Sequence, residues 1–120
     1  MAKVLIIDDD TRNIFALSAV LKSRQFDCLS ATSASEGLSM LSSDDSIGVV
    51  LLDMMMPEMD GYETIRLIRG GHHKELPIIA VTAQAMAGDK EKCLEAGATA
   101  YLAKPIDVDQ LMILLDRFMR

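Results

Sequence analysis

Short apolar runs alternate along this chain with longer segments in which apolar positions recur every three or four residues. "KVLII" (3–7), "VVLL" (49–52) and "PIIAVT" (77–82) are almost continuously apolar, as strands covered on both faces must be. These three are expected at the centre of a parallel sheet. "FDCLSA" (26–31) mixes polar and apolar residues and suits an edge, while "AYLA" (100–103) is a short fifth strand. Between these runs the period becomes helical. Ile14, Leu17, Val20 and Leu21 mark a first helix, and Leu38, Met40 and Leu41 a second, opened by Ser33 with Glu36 three residues later as a capping box. Tyr62, Ile65 and Ile68 line a third, which stops at Gly70-Gly71. A fourth is expected from about Ala87 to Glu95, stopped by Gly97. Asp107 with Gln110 opens a fifth, whose stripe is Leu111, Leu114, Leu115 and Phe118. The order (βα)5 predicts an α/β, doubly wound five-stranded parallel sheet of order 2-1-3-4-5. No repeat, linker or low-complexity segment interrupts it, and 120 residues is the length of a single domain, 1–120.

Composition narrows the partners. Eighteen acidic residues against twelve basic give a net charge of −6, and no Lys/Arg cluster accompanies exposed aromatics. That balance argues against direct binding of nucleic acid or an anionic membrane, and favours proteins or cations. The apolar runs fall far short of the ~20 residues of a membrane span. "MAKVLIIDDD" turns acidic too soon for a signal peptide, so a cytoplasmic location is expected. Cys28 and Cys93 lack metal-ligand spacing and read as reduced, buried thiols.

The chemistry is expected at the carboxyl ends of the strands, where ligands of doubly wound sheets bind. Asp8 and Asp9 follow the first strand, Asp53 the third, Thr82 the fourth and Lys104 the fifth. With strands one and three adjacent, the three aspartates converge. Like charges so close raise one another's pKa unless a cation intervenes. The Lys104 ammonium is one such cation and a divalent metal the other. All-oxygen donors without His or Cys suit Mg²⁺ or Mn²⁺ and disfavour zinc.

These residues resemble the receiver domains of two-component response regulators, which have the flavodoxin-like fold. The resemblance covers essentially the whole chain, through Asp8-Asp9, "LLDMMMPEMDG" around Asp53, "VTA" (81–83) and "KP" (104–105). It implies that Asp53 is a phosphoacceptor, taking a phosphoryl group from the phosphohistidine of a histidine kinase or a histidine phosphotransfer protein. Asp9 and Asp53 would bind Mg²⁺ directly, Asp8 through a coordinated water, and the Met55 backbone carbonyl would add another oxygen. Thr82 and Lys104 would each meet a phosphoryl oxygen, small Ala83 would leave room for the group, and Lys104-Pro105 is a candidate cis peptide. It further implies a switch in which Thr82 and Tyr101 move together and change the surface of helix four, strand five and helix five for an output partner. Met55 and Gln84, each two residues beyond a site residue, would tune self-dephosphorylation. The resemblance thus implies a phosphoacceptor that assists its own phosphorylation and dephosphorylation rather than an enzyme.

Other features read more plainly. His72-His73 suit a solvated loop better than a metal site, and Met54, Met55, Met56 and Met59 suit packing better than a copper site, with a dry lining beside an acyl phosphate as their expected place. Ile14 and Phe15 follow the acidic pair and suit docking of a kinase helix bundle, with core packing explaining at least one of the two. A flavodoxin-type cofactor binder would carry a phosphate loop where this chain has "DDDT", and a haloacid-dehalogenase-type phosphatase a second Asp where Met55 stands. The runner-up is a receiver-like interaction module that phosphorylation does not regulate. "DDDTRN", "DMMMPEMDGYE" and "AKPID" look most like receivers attached to hybrid histidine kinases, and a stand-alone regulator or a piece of a longer protein both fit.

Overall fold

The computed structural model describes residues 2–57, 59–83 and 88–119. Five parallel strands, β1 (Lys3–Ile7), β2 (Asp27–Ala31), β3 (Ile47–Asp53), β4 (Ile78–Thr82) and β5 (Ala100–Ala103), form one sheet in the expected order β2-β1-β3-β4-β5. The helices α1 (Thr11–Ser23), α2 (Ala34–Ser43), α3 (Gly61–Gly70), α4 (Asp89–Ala96) and α5 (Val108–Met119) fill the crossovers. Ile14, Leu17 and Leu21 of α1 pack with Leu111 and Leu115 of α5 on one face of the sheet. On the other face lie Ala34 and Leu41 of α2, Ile65 and Ile68 of α3, and Cys93 of α4. Two apolar layers therefore bury the central strands on both sides, which explains the unbroken runs in β1, β3 and β4. The β2 edge stays partly exposed, as its mixed sequence requires.

Local signals set most helix ends. Ser33 Oγ accepts from the Glu36 N–H at 3.2 Å, while Glu36 Oε1 accepts from the Thr32 N–H at 2.8 Å, one residue earlier than a capping box places it. Asp107 Oδ1 accepts from the N–H groups of Asp109 and Gln110, at 2.9 and 3.3 Å. The described part of α4 opens at Asp89, after Gly88 at φ +88°; Ala87, where the sequence placed the start, lies outside the described residues. Gly97, at φ +121°, ends it in a conformation that favours glycine.

The methionine segment packs, as expected, but unevenly. Met54 and Met56 are buried in the α2/α3/α4-side core with Val50 and Leu52, while Met55 is half exposed. The Met54 N–H still donates to the Val81 carbonyl at 2.9 Å, so the two-residue alternation of β3 runs past its end. Alternation sends Met54 and Met56 inward and leaves Met55 half exposed. Met56 and Met59 border a small cavity that Asp9 also lines. Met54 also crosses Gly61 so closely that a β-carbon there would come within 2.8 Å of the Met54 backbone. The histidine pair divides as well: His72 is exposed, while His73 Nε2 lies 3.0 Å from the Leu41 carbonyl and ties its loop to α2. Both thiols are free, Cys93 buried and Cys28 half-buried.

Candidate functional site

The carboxyl ends of β1, β3, β4 and β5 bring Asp8, Asp53, Thr82 and Lys104 to one rim. "DDD" splits into three tasks. Asp8 is buried at the end of β1, Asp9 is exposed beside it, and Asp10 caps α1 by accepting from the Arg12 N–H at 3.0 Å. Asp8 is fixed from two sides: Oδ1 accepts from the Asp10 N–H at 2.9 Å and Oδ2 from the Asn13 side-chain amide. Asn13 entered the sequence reading only as part of a motif, and its role in orienting Asp8 was not foreseen. The signal was its place in the first turn of α1, where a side chain reaches back over the preceding loop.

Asp53 is not a solvated strand end, for it is only 4% exposed. Its Oδ1 accepts from the Met55 N–H at 3.0 Å, and its Oδ2 lies 3.6 Å from Lys104 Nζ. The same ammonium is 3.8 Å from Asp8 Oδ2. Lys104 follows β5 and precedes a cis peptide to Pro105, as the sequence suggested. Burial pushes the Asp53 carboxyl above its ordinary range. The Met55 N–H and Lys104 oppose that shift, and the Asp8 carboxylate adds to it.

One oxygen from each of Asp8, Asp9 and Asp53 lies within 4.8 Å of the others, and among the described residues no other three His, Cys, Asp or Glu side chains gather in this way. Two unit charges 4 Å apart repel by about 4 kcal/mol at a near-surface dielectric. Lys104 is one positive charge against three negative ones, so the site suits an added divalent cation. Oxygen donors alone fit Mg²⁺ or Mn²⁺.

Thr82 is buried at the end of β4, and its carbonyl accepts from the Lys104 N–H at 2.8 Å. Tyr101 pairs in register with Ala80, two residues before Thr82, which places Tyr101 and Thr82 on the same face of the sheet. Ala83 is exposed at the rim, and Gln84 lies outside the described residues. In α1, Ile14 is core and Phe15 is 76% exposed.

The family model for the response regulator receiver domain matches residues 4–116. The chain belongs to that family. This receiver domain is 40% identical over 119 residues to the signal transduction histidine-protein kinase BarA of Shigella flexneri, covering 96% of this chain but 12% of that protein. It is 30% identical to the two-component response regulator ORR5 of Oryza sativa subsp. japonica, covering 98% of this chain and 88% of that one. A crystal structure of a response regulator receiver protein from Pseudomonas putida superposes with a TM-score of 0.91 at 31% identity, covering 97% of this chain and 96% of the other. The receiver domain thus spans about one eighth of the kinase it matches and most of the regulator. Among its described residues, no helix is long and apolar enough to cross a membrane.

Proposed function

We propose that Asp53 is the phosphoacceptor of this receiver domain and that its donor is the phosphohistidine of a histidine kinase or a histidine phosphotransfer protein. The observation that carries this reading is the Asp53 carboxylate, buried yet aimed at a rim where Lys104 and two further aspartates meet. An Asp53 oxygen attacks phosphorus, the P–N bond breaks, and its electron pair stays on the departing imidazole nitrogen, leaving an acyl phosphate. Met55 holds Oδ1 through its N–H, which leaves Oδ2 on the Lys104 side as the attacking oxygen. Lys104 then has a phosphoryl oxygen to pair with in place of the bare carboxylate. Thr82 offers its hydroxyl to another oxygen, and Ala83 leaves space beside it.

Asp8, Asp9 and Asp53, with the Met55 carbonyl, would hold Mg²⁺ or Mn²⁺. A bound divalent ion supplies neutralising charge for the carboxylates and the arriving phosphoryl oxygens. Asn13 keeps Asp8 turned toward the site in the meantime. The output is a shift of Thr82 and Tyr101 that remodels the α4/β5/α5 face for a downstream partner, in the cytoplasm. The kinase resemblance at 40% identity supports a place within a phosphorelay.

Borohydride reduction of the protein after treatment with Mg²⁺ and a small phosphodonor tests the assignment, because it converts an aspartyl acyl phosphate to homoserine. Peptide mapping should find homoserine at position 53. Homoserine elsewhere, or none, would overturn it.

A further inference from the structure

Asp89 stands in the first turn of α4, where a carboxylate is favoured by the helix N-terminus. Its two oxygens face two different tyrosines. Tyr62, on α3, donates its hydroxyl to Oδ1 at 2.8 Å, and Tyr101, on β5, donates to Oδ2 at 3.5 Å. The two contacts differ in strength, since one has the length of a firm O–H···O bond and the other lies at the outer limit. Tyr62 therefore makes the firmer contact and Tyr101 the looser one. Hydrogen bonding to Asp89 raises the Tyr62 phenol well above its usual range, and burial together with the Asp89 charge raises that of Tyr101.

The separations in sequence, 27 residues for one pair and 12 for the other, join α3, α4 and β5 at a single carboxylate. Rotation of Tyr101 away from α4 breaks its contact but leaves Asp89 held by Tyr62 and by the helix end.

We propose that Asp89 is the latch of the receiver switch, a positioning residue that is anchored by Tyr62 and retains Tyr101 in its resting orientation. This rests on the reading of Tyr101 as the moving switch residue. Because a ligand that favours the switched state must first overcome whatever holds the resting one, weakening the latch raises apparent affinity for a phosphoryl mimic.

The chain has two tyrosines, so tyrosine-selective ring labelling isolates both arms by NMR. Spectra of the full chain are compared for wild type, Asp89→Asn and Tyr62→Phe, first alone and then titrated with beryllofluoride and Mg²⁺. Tyr62→Phe keeps the packed ring and leaves α4 intact, which guards against a folding defect in Asp89→Asn. In both variants the resting Tyr101 signals should move toward their mimic-bound position. Mimic affinity should rise about fivefold, the worth of one modest hydrogen bond. Tyr101 signals fixed at the wild-type position in both variants would overturn the latch, and so would unchanged affinity despite moved signals. Failure of the wild-type protein to bind the mimic would instead sink the phosphoacceptor reading, and the resting signals alone would then decide the latch.

Discussion

Lys104 Nζ lies 3.6 Å from Asp53 Oδ2, and among the described residues that ammonium also makes the ion pair with Asp8. One cation thus holds two buried carboxylates together across the ends of β5, β3 and β1. Lys104→Met should lower the metal-free melting temperature, because removing one partner leaves the buried charges uncompensated. Added Mg²⁺ should recover more stability in the variant than in wild type. Thermal melts with and without Mg²⁺ check this, and phosphorylation by a small donor should slow on the order of a hundredfold.

Asp53 makes a stability prediction with a definite sign. Its folded carboxyl titrates above its unfolded value, so the charged form favours unfolding. The stability conferred by its proton is present below the unfolded pKa and lost as pH rises through the folded one. Metal-free Asp53→Asn should therefore be more stable than wild type at pH 7, by about 1–2 kcal/mol. That advantage should shrink as pH falls toward the ordinary carboxylate range. Urea titrations of both proteins across this window give the difference directly.

Gly61 has no room for a side chain against the Met54 backbone. Gly61→Ala should cost about 1–3 kcal/mol by forcing α3 away from the end of β3. Phosphorylation should slow as well, since the same loop carries the Met55 N–H that fixes Asp53. Denaturation midpoints and donor kinetics measured on one preparation link the two effects.

Met55 is half exposed at the rim and brings no hydrogen-bonding side chain to a water approaching the acyl phosphate. Met55→Asn should shorten the phosphorylated lifetime, followed as loss of the phosphorylated mass after removal of the donor. An unchanged or longer lifetime would contradict this role.

Where a signal is local or periodic, it was legible in the sequence. The apolar runs of β1, β3 and β4 announce burial on both faces, and Ser33 and Asp107 announce helix starts because a cap acts within three residues. The acidic cluster was also legible, since the strand order alone brings β1 next to β3. The fate of the methionines was not, because nothing local shows that β3 keeps its alternation into Met54 and Met56. Nor was the sharing of Asp89 by Tyr62 and Tyr101, which depends on how α3, α4 and β5 pack together. Asn13 lay between these cases, near in sequence to Asp8 but oriented by the start of α1.

The most direct test is the intact mass of wild type and Asp53→Asn after incubation with Mg²⁺ and a small phosphodonor, with a chelator as control. One phosphoryl adduct is expected on wild type with Mg²⁺, and none on Asp53→Asn or with the metal chelated. An equal adduct on both proteins, or none on wild type, would contradict the assignment of Asp53 and favour an interaction module that phosphorylation does not regulate.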